Sequence, residues 1–199
     1  MTSRAELEEL LAEVAACAVC APQLPLGPRP ILQIGAGARL LIAGQAPGRA
    51  VHLHGIPFAD PAGDLLRAWL GIDAASFYDP GRVAILPIGL CYPGRGRGGD
   101  LPPRPECAPL WQARLLALMP ALRLTLLLGR HAQRHHLGAR CRPSLTETVR
   151  AFRHYLPGYF PLPHPSPRNR PWLRRHPWFE QDVLPALRAE VRRALTVGG

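Results

Sequence analysis

The sequence predicts a three-layer α/β/α sandwich around a central four-stranded, mostly parallel sheet, and two observations predict it. Short, near-continuous apolar runs recur along the chain, as strands covered on both faces require. Between them lie stretches whose apolar residues follow helical spacing, and strands alternating with helices give a parallel sheet with helices on either side. The 199 residues, 47% hydrophobic and 19% charged, suffice for one domain over 1–199 and exclude disorder as a whole-chain description.

The elements follow in order. Leu and Ala spacing over 5–16 reads as an amphipathic helix with an acidic face, and the Pro-rich stretch 22–30 prevents its continuation. The run 39–43 is a buried strand that stops at Gly44; 83–88 is a second, and 124–128, stopped by Gly129, a third. A fourth, 159–162, contains Pro161 and is therefore short or at an edge. Helical patterns occupy 63–70, 109–118, 130–137 and 144–155. A long final helix over 178–196 carries Val183, Leu184, Leu187 and Val191 on one face. Ligands of such sheets bind at the carboxyl ends of the strands, so the loops after Ala43, Ile88 and Leu162 are where chemistry is expected.

Charge narrows the partners. The formal net charge is +10, and every one of the 24 basic residues is Arg. A basic excess of this size points to a polyanion, nucleic acid before membrane. No apolar run approaches the ~20 residues of a membrane helix. Residues 1–16 are rich in Glu and lack a basic n-region, so no secretory signal is read there and a cytoplasmic monomer is expected. Five Cys in such a chain argue against a disulfide scaffold and towards metal or redox chemistry. Cys17 and Cys20 form a C-x-x-C pair, and Cys91 and Cys107 a C-x15-C pair. Four thiolates complete either a tetrahedral Zn site or a [4Fe–4S] cluster, and spacing alone leaves both open. Cys141 stands outside the pattern as a spare thiol.

Two loops stand out. Gly44-Gln45-Ala46-Pro47-Gly48 follows the first strand, with glycines that let a ligand approach the backbone and a proline that stiffens the turn. His164-Pro165-Ser166-Pro167-Arg168-Asn169-Arg170 follows the last strand and holds a His, a Ser and two Arg on a rigid segment. Together they resemble motifs 1 and 2 of the uracil-DNA glycosylase superfamily. The segment GIPFADPAGDLL, residues 55–66, is similar to the one that follows motif 1 in the iron–sulfur branch, often called family four. The resemblance runs from about Cys17 to the final helix.

That resemblance implies a glycosylase that hydrolyses the N-glycosidic bond of uracil or another deaminated base in single- or double-stranded DNA, acting on a flipped-out nucleotide. It implies that Phe58 stacks on the base, with Gly44 and Ala46 beside it. His164 would donate a hydrogen bond to the base oxygen that becomes anionic. Pro47 and Ser166 would grip phosphates, and Arg168, Asn169 and Arg170 would enter the groove. It also implies a structural [4Fe–4S] cluster on Cys17, Cys20, Cys91 and Cys107, with Zn as the alternative. The loop between Cys91 and Cys107 itself carries Arg95, Arg97 and Arg104 among Gly and Pro, a flexible basic segment suited to phosphate contact.

The chain departs from the family pattern at three places. Gln45 stands where the branch has Glu; it can position water or hydrogen-bond the base but cannot act as a general base. Ala50, Val51 and His52 replace the acidic residues that follow, leaving His52 and His54 as either water-polarising groups or surface histidines. Pro87 occupies the position of the uracil-reading Asn and offers no side-chain hydrogen bond. These departures leave room for a changed base, such as hypoxanthine or xanthine, or for a non-catalytic protein that binds DNA or damaged bases on the same fold. A Zn-stabilised nucleic-acid binder unrelated to repair is a further reading.

Overall fold

The computed structural model describes residues 4–196. Strands β1 (Leu40–Ala43), β2 (Val83–Ile85), β5 (Leu124–Leu128) and β6 (Tyr159–Leu162) form a sheet in the order β2-β1-β5-β6, and every neighbouring pair is parallel. A separate antiparallel hairpin joins β3 (Arg95–Gly96) to β4 (Gly99–Asp100). The helices are α1 (Arg4–Ala15), α2 (Arg49–His54), α3 (Pro61–Leu70), α4 (Ala74–Phe77), α5 (Cys107–Ala117), α6 (Gly129–Leu137), α7 (Leu145–Arg150), α8 (Arg170–Arg175) and α9 (Leu184–Leu195).

β1 explains the layering. Its side chains alternate between the faces of the sheet, and all are at most 1% exposed. Leu40 and Ile42 enter a core with Leu66 and Trp69 of α3 and Leu187 and Val191 of α9. Leu41 enters an opposite core with Val14 of α1 and Trp111 and Leu115 of α5. Ala43 packs with Leu127 and with Ala132 of α6 at the carboxyl end of the sheet. Each large aliphatic side chain buried this way contributes about 1.5–3 kcal/mol relative to exposure. Among the described residues, no helix is long and apolar enough to cross a membrane.

The two edges of the sheet are handled differently: β2 is covered, and β6 carries a proline. On the outer side of β2, Gln33 exchanges backbone hydrogen bonds with Ile85 in an isolated antiparallel bridge, and its amide nitrogen donates to the carbonyls of Val83 and Phe77. On the other edge, Thr125 N–H donates to the Gly158 carbonyl, which sets the period-two pattern that turns Pro161 outward, where its missing N–H leaves no ladder bond unmade.

Several elements differ from expectation for local reasons. β2 ends at Ile85 because Pro87 interrupts regular strand geometry, although ladder bonds continue: Leu86 N–H donates to Ile42, Ile88 to Gly44 and Gly89 to Gln45. The helix expected over 144–155 stops at Arg150 and re-forms as a 3-10 turn over Phe152–Tyr155; its start is a capping box between Ser144 and Glu147. The final helix begins with a π-helical turn, Phe179–Val183, because Pro185 has no N–H to give to the carbonyl four residues back. Neither α2, α4, α8 nor the β3–β4 hairpin carries the periodicity that would announce it.

On α6, burial, reinforced by neighbouring His135, lowers the pKa of His136 to about 4. Its Nε2 is buried with no partner, so the folded protein holds this ring neutral while the unfolded chain protonates it near the usual 6.5. Between those values the unfolded state binds more protons, so stability falls as pH drops from about 6.5 to about 4. Urea unfolding at pH 7 and pH 4.5 should show a loss, of which His136→Phe removes at most about 3 kcal/mol.

Candidate active site

The carboxyl ends of the strands open into a cleft of about 450 Å³. The loop after β1 lines it from Gly44 through Pro47, the segment before α3 contributes Phe58 and Asp60, and the loop after β6 contributes His164, Ser166 and Arg168. Ile31, Ile85, Ala62 and Pro87 give the cleft an apolar lining. Residues more than a hundred positions apart are thus brought together because β1 and β6 both end there, flanking β5.

The β1 loop is held by backbone bonds from Ile88 N–H to the Gly44 carbonyl and from Gly89 N–H to the Gln45 carbonyl, both 2.9 Å. The Gln45 side chain reaches the hairpin: its Nε2 donates to the Leu101 carbonyl at 2.6 Å and to the Asp100 carbonyl at 3.5 Å. A carboxylate in this place would set oxygen against oxygen, so the amide is matched to the hairpin it holds. Pro87 presents its ring to the cleft while its carbonyl accepts from Gln112 Nε2 at 2.8 Å behind it.

Phe58 sits in the left-handed region with φ 56°, a conformation that costs a non-glycine residue on the order of 1 kcal/mol and persists only where its surroundings enforce it. They do so here. The Tyr78 hydroxyl donates to the Phe58 carbonyl at 3.1 Å, and Phe77 meets its ring edge-on at 6.1 Å between centroids. Gly63 leaves the space its backbone needs, since a Cβ there would lie 1.8 Å from the Phe58 carbonyl oxygen. Asp60 completes the turn by accepting from Gly63 N–H at 3.0 Å as the N-cap of α3.

His164 is fixed from its backbone side. Its carbonyl accepts from Ser166 N–H at 2.8 Å and from Asn169 Nδ2 at 2.7 Å. Burial lowers its pKa, against the opposing pull of the Asp60 and Asp100 carboxylates, so the imidazole is neutral at pH 7. Ser166 Oγ accepts from Arg168 N–H at 3.3 Å in a 3-10 turn, Pro167–Asn169. Asn169 and Arg170 do not line the cleft: Asn169 braces His164 from behind, and Arg170 opens α8, whose last turn carries Arg174 and Arg175. His52 and His54 do not line it either. His52 is buried beside Tyr92, whereas His54 is exposed at the end of α2.

Cys17, Cys20, Cys91 and Cys107 line a second cavity together, walled by Leu90, Leu110 and Trp111. Leu90 N–H donates to Cys107 Sγ at 3.3 Å, and the Cys20 thiol points to Glu106, itself paired with Arg104 at 2.7 Å. Burial raises the Cys107 pKa to about 11 and raises those of Cys91 and Cys20, so these thiols ionise at neutral pH only in exchange for a cation. Among the described residues, no three His, Cys, Asp or Glu side chains gather closely enough to hold one metal ion. The four thiols line one cavity and are the donor set that either an iron–sulfur cluster or a zinc ion takes. Cys141 lies elsewhere, half-buried beside α6.

Asp60 and Asp100 escaped the sequence reading, yet both face the cleft beside His164. Asp60 has a readable signal, an Asp-Pro pair opening an apolar helical stretch. Asp100 lies in a run of Gly and Arg that signals nothing.

Residues 33–188 match the model of the Uracil DNA glycosylase superfamily. The chain is also similar to a solution NMR structure of a Methanosarcina acetivorans protein provisionally named a uracil DNA glycosylase, at 17% identity and a TM-score of 0.48, over 80% of this chain and 94% of that one.

The close approach at Gly63 makes a sharp test. Gly63→Ala must displace Phe58, and its urea midpoint should correspond to a loss of about 3 kcal/mol.

Proposed function

The chain belongs to the uracil DNA glycosylase superfamily, and from that premise we propose that it hydrolyses the N-glycosidic bond of a deaminated base flipped out of DNA. The observation that carries this reading is a neutral His164 in the same cleft as Phe58 and the Gly44–Gly48 loop. A neutral imidazole donates one N–H, which is what a base oxygen needs as it gains negative charge while the glycosidic bond breaks. The bond is worth more to that developing anion than to the neutral base, so it lowers the barrier rather than only binding substrate.

Phe58 offers its ring for stacking, and its strained backbone keeps the ring at the cleft when no base is present. Pro47, Ser166 and Arg168 lie along the rim, where the phosphates flanking the flipped nucleotide would run. The +10 charge supports a DNA partner through counterion release. With Pro87 at the floor, no amide side chain there reads the base edge, and the proposed specificity is broad enough to include hypoxanthine or xanthine beside uracil. The tether of Gln45 and the apolar Pro87 also favour a second reading, a protein that binds such bases without cleaving them.

Cys17, Cys20, Cys91 and Cys107 are proposed to hold a [4Fe–4S] cluster, with Zn the alternative. When bound, the cluster would serve structure rather than hydrolysis, clipping the chain after α1 to the loop after β2 and the start of α5.

An oligonucleotide panel containing uracil, hypoxanthine or xanthine, single- and double-stranded, tests the reaction: abasic product from at least one is expected. His164→Ala should lower the single-turnover rate at least about 100-fold while duplex affinity, measured by fluorescence anisotropy, stays within about twofold. Binding without product across the panel would favour the second reading. Anaerobically purified protein should be brown with about four iron atoms per chain, and Cys91→Ser with Cys107→Ser should yield colourless protein of lower Tm. Zinc in place of iron would decide for the alternative.

A further inference from the structure

We propose that Asp100, at the end of the β3–β4 hairpin, is the carboxylate that takes a proton from the hydrolytic water, replacing the one absent from the loop after β1; this rests on the glycosylase reading above.

Four observations converge on it. Gln45, in the β1 loop, cannot accept a proton at neutral pH, and its amide nitrogen is committed to the hairpin carbonyls. That same bond draws the hairpin over the cleft. Leu101 N–H donates to the Gly94 carbonyl at 2.9 Å, closing the hairpin base, and Gly99 lies against Arg168 so closely that a Cβ would meet its guanidinium at 3.2 Å. The hairpin is thus pinned from the β1 loop on one side and the β6 loop on the other.

Its position delivers one carboxylate to the cleft. Asp100 Oδ2 lies 3.5 Å from where a Gly48 Cβ would stand, and its charge reaches His164. Asp60 is the other carboxylate within electrostatic reach of His164, but it is occupied as the cap of α3. Gln45 reaches only the backbone carbonyl of Asp100, and among the described residues no side chain donates to the Asp100 carboxylate, which lines the cleft with its oxygens open to water.

The step balances. The C1′–N bond breaks with its electron pair leaving on the base, which His164 stabilises as an anion. A water oxygen bonds to C1′, and the proton it loses passes to the Asp100 carboxylate. Asp100 then returns that proton to solvent, and the released base takes one up. Proton transfer by a placed side chain contributes about 10²–10⁴-fold.

The test is a single-turnover assay on whichever base the wild-type protein excises. Asp100→Asn keeps shape and loses basicity; it should cut the rate at least about 100-fold, with oligonucleotide affinity and Tm unchanged. Asp100→Ala opens a small space, and added formate should restore its rate at least tenfold as a diffusible carboxylate. A structural role would not respond to formate. An Asp100→Asn rate within about threefold of wild type overturns the assignment, and so does an Asp100→Ala rate that formate leaves unmoved. If the wild-type protein cleaves no base, the glycosylase reading falls and takes this one with it; if it cleaves and Asp100→Asn cleaves equally well, only Asp100 loses its role.

Discussion

Much of the molecule depends on a parallel ladder that outlives its strands. Beyond the last residue of β2, the N–H groups of Leu86, Ile88 and Gly89 continue to donate to the carbonyls of Ile42, Gly44 and Gln45. These bonds fix the turn after β1 against the chain that runs to Cys91. One side of this paired segment forms the cleft, and the other leads through Leu90 to the cavity ringed by cysteines. The two sites are therefore neighbours along one stretch of backbone.

Electrostatics at the cleft follow from how its parts are buried. His164 feels opposing influences, burial towards the neutral ring and the Asp60 and Asp100 carboxylates towards the charged one, and burial prevails. With the ring neutral, His164 keeps one N–H to donate and forms no ion pair with either carboxylate. Arg168 lines the same cleft from the loop after β6, the place of the phosphate contact proposed for it.

The layered architecture was legible because β1 and β5 are uninterrupted apolar runs, and such runs have few other uses in a chain of this composition. Gly44 and His164 were legible through short motifs at the ends of strands, and Phe58 through the segment 55–66 between them; the structure gathers all three in one cleft. Prolines defeated the finer reading: Pro87 shortened β2, and Pro185 turned the start of the last helix into a π-turn. The β3–β4 hairpin was invisible for a different reason. Its run of Gly and Arg has no hydrophobic period, and what shapes it is contact with Gln45 and Arg168, residues remote in sequence. Asn169 shows the converse limit: its place beside a motif His suggested a contact with DNA, and nothing in the sequence announced that its amide also donates to the His164 carbonyl.

The covered β2 edge and the proline of β6 have a consequence for the molecule in a crowded solution. An open strand edge is a template on which another chain can add its own strand, the first step towards swapped dimers and fibrils. Here Gln33 has taken the free backbone groups of Ile85 on one side, and Pro161 withholds a donor on the other. The β2 edge is thereby taken, and at β6 the edge strand offers one donor fewer to a second sheet.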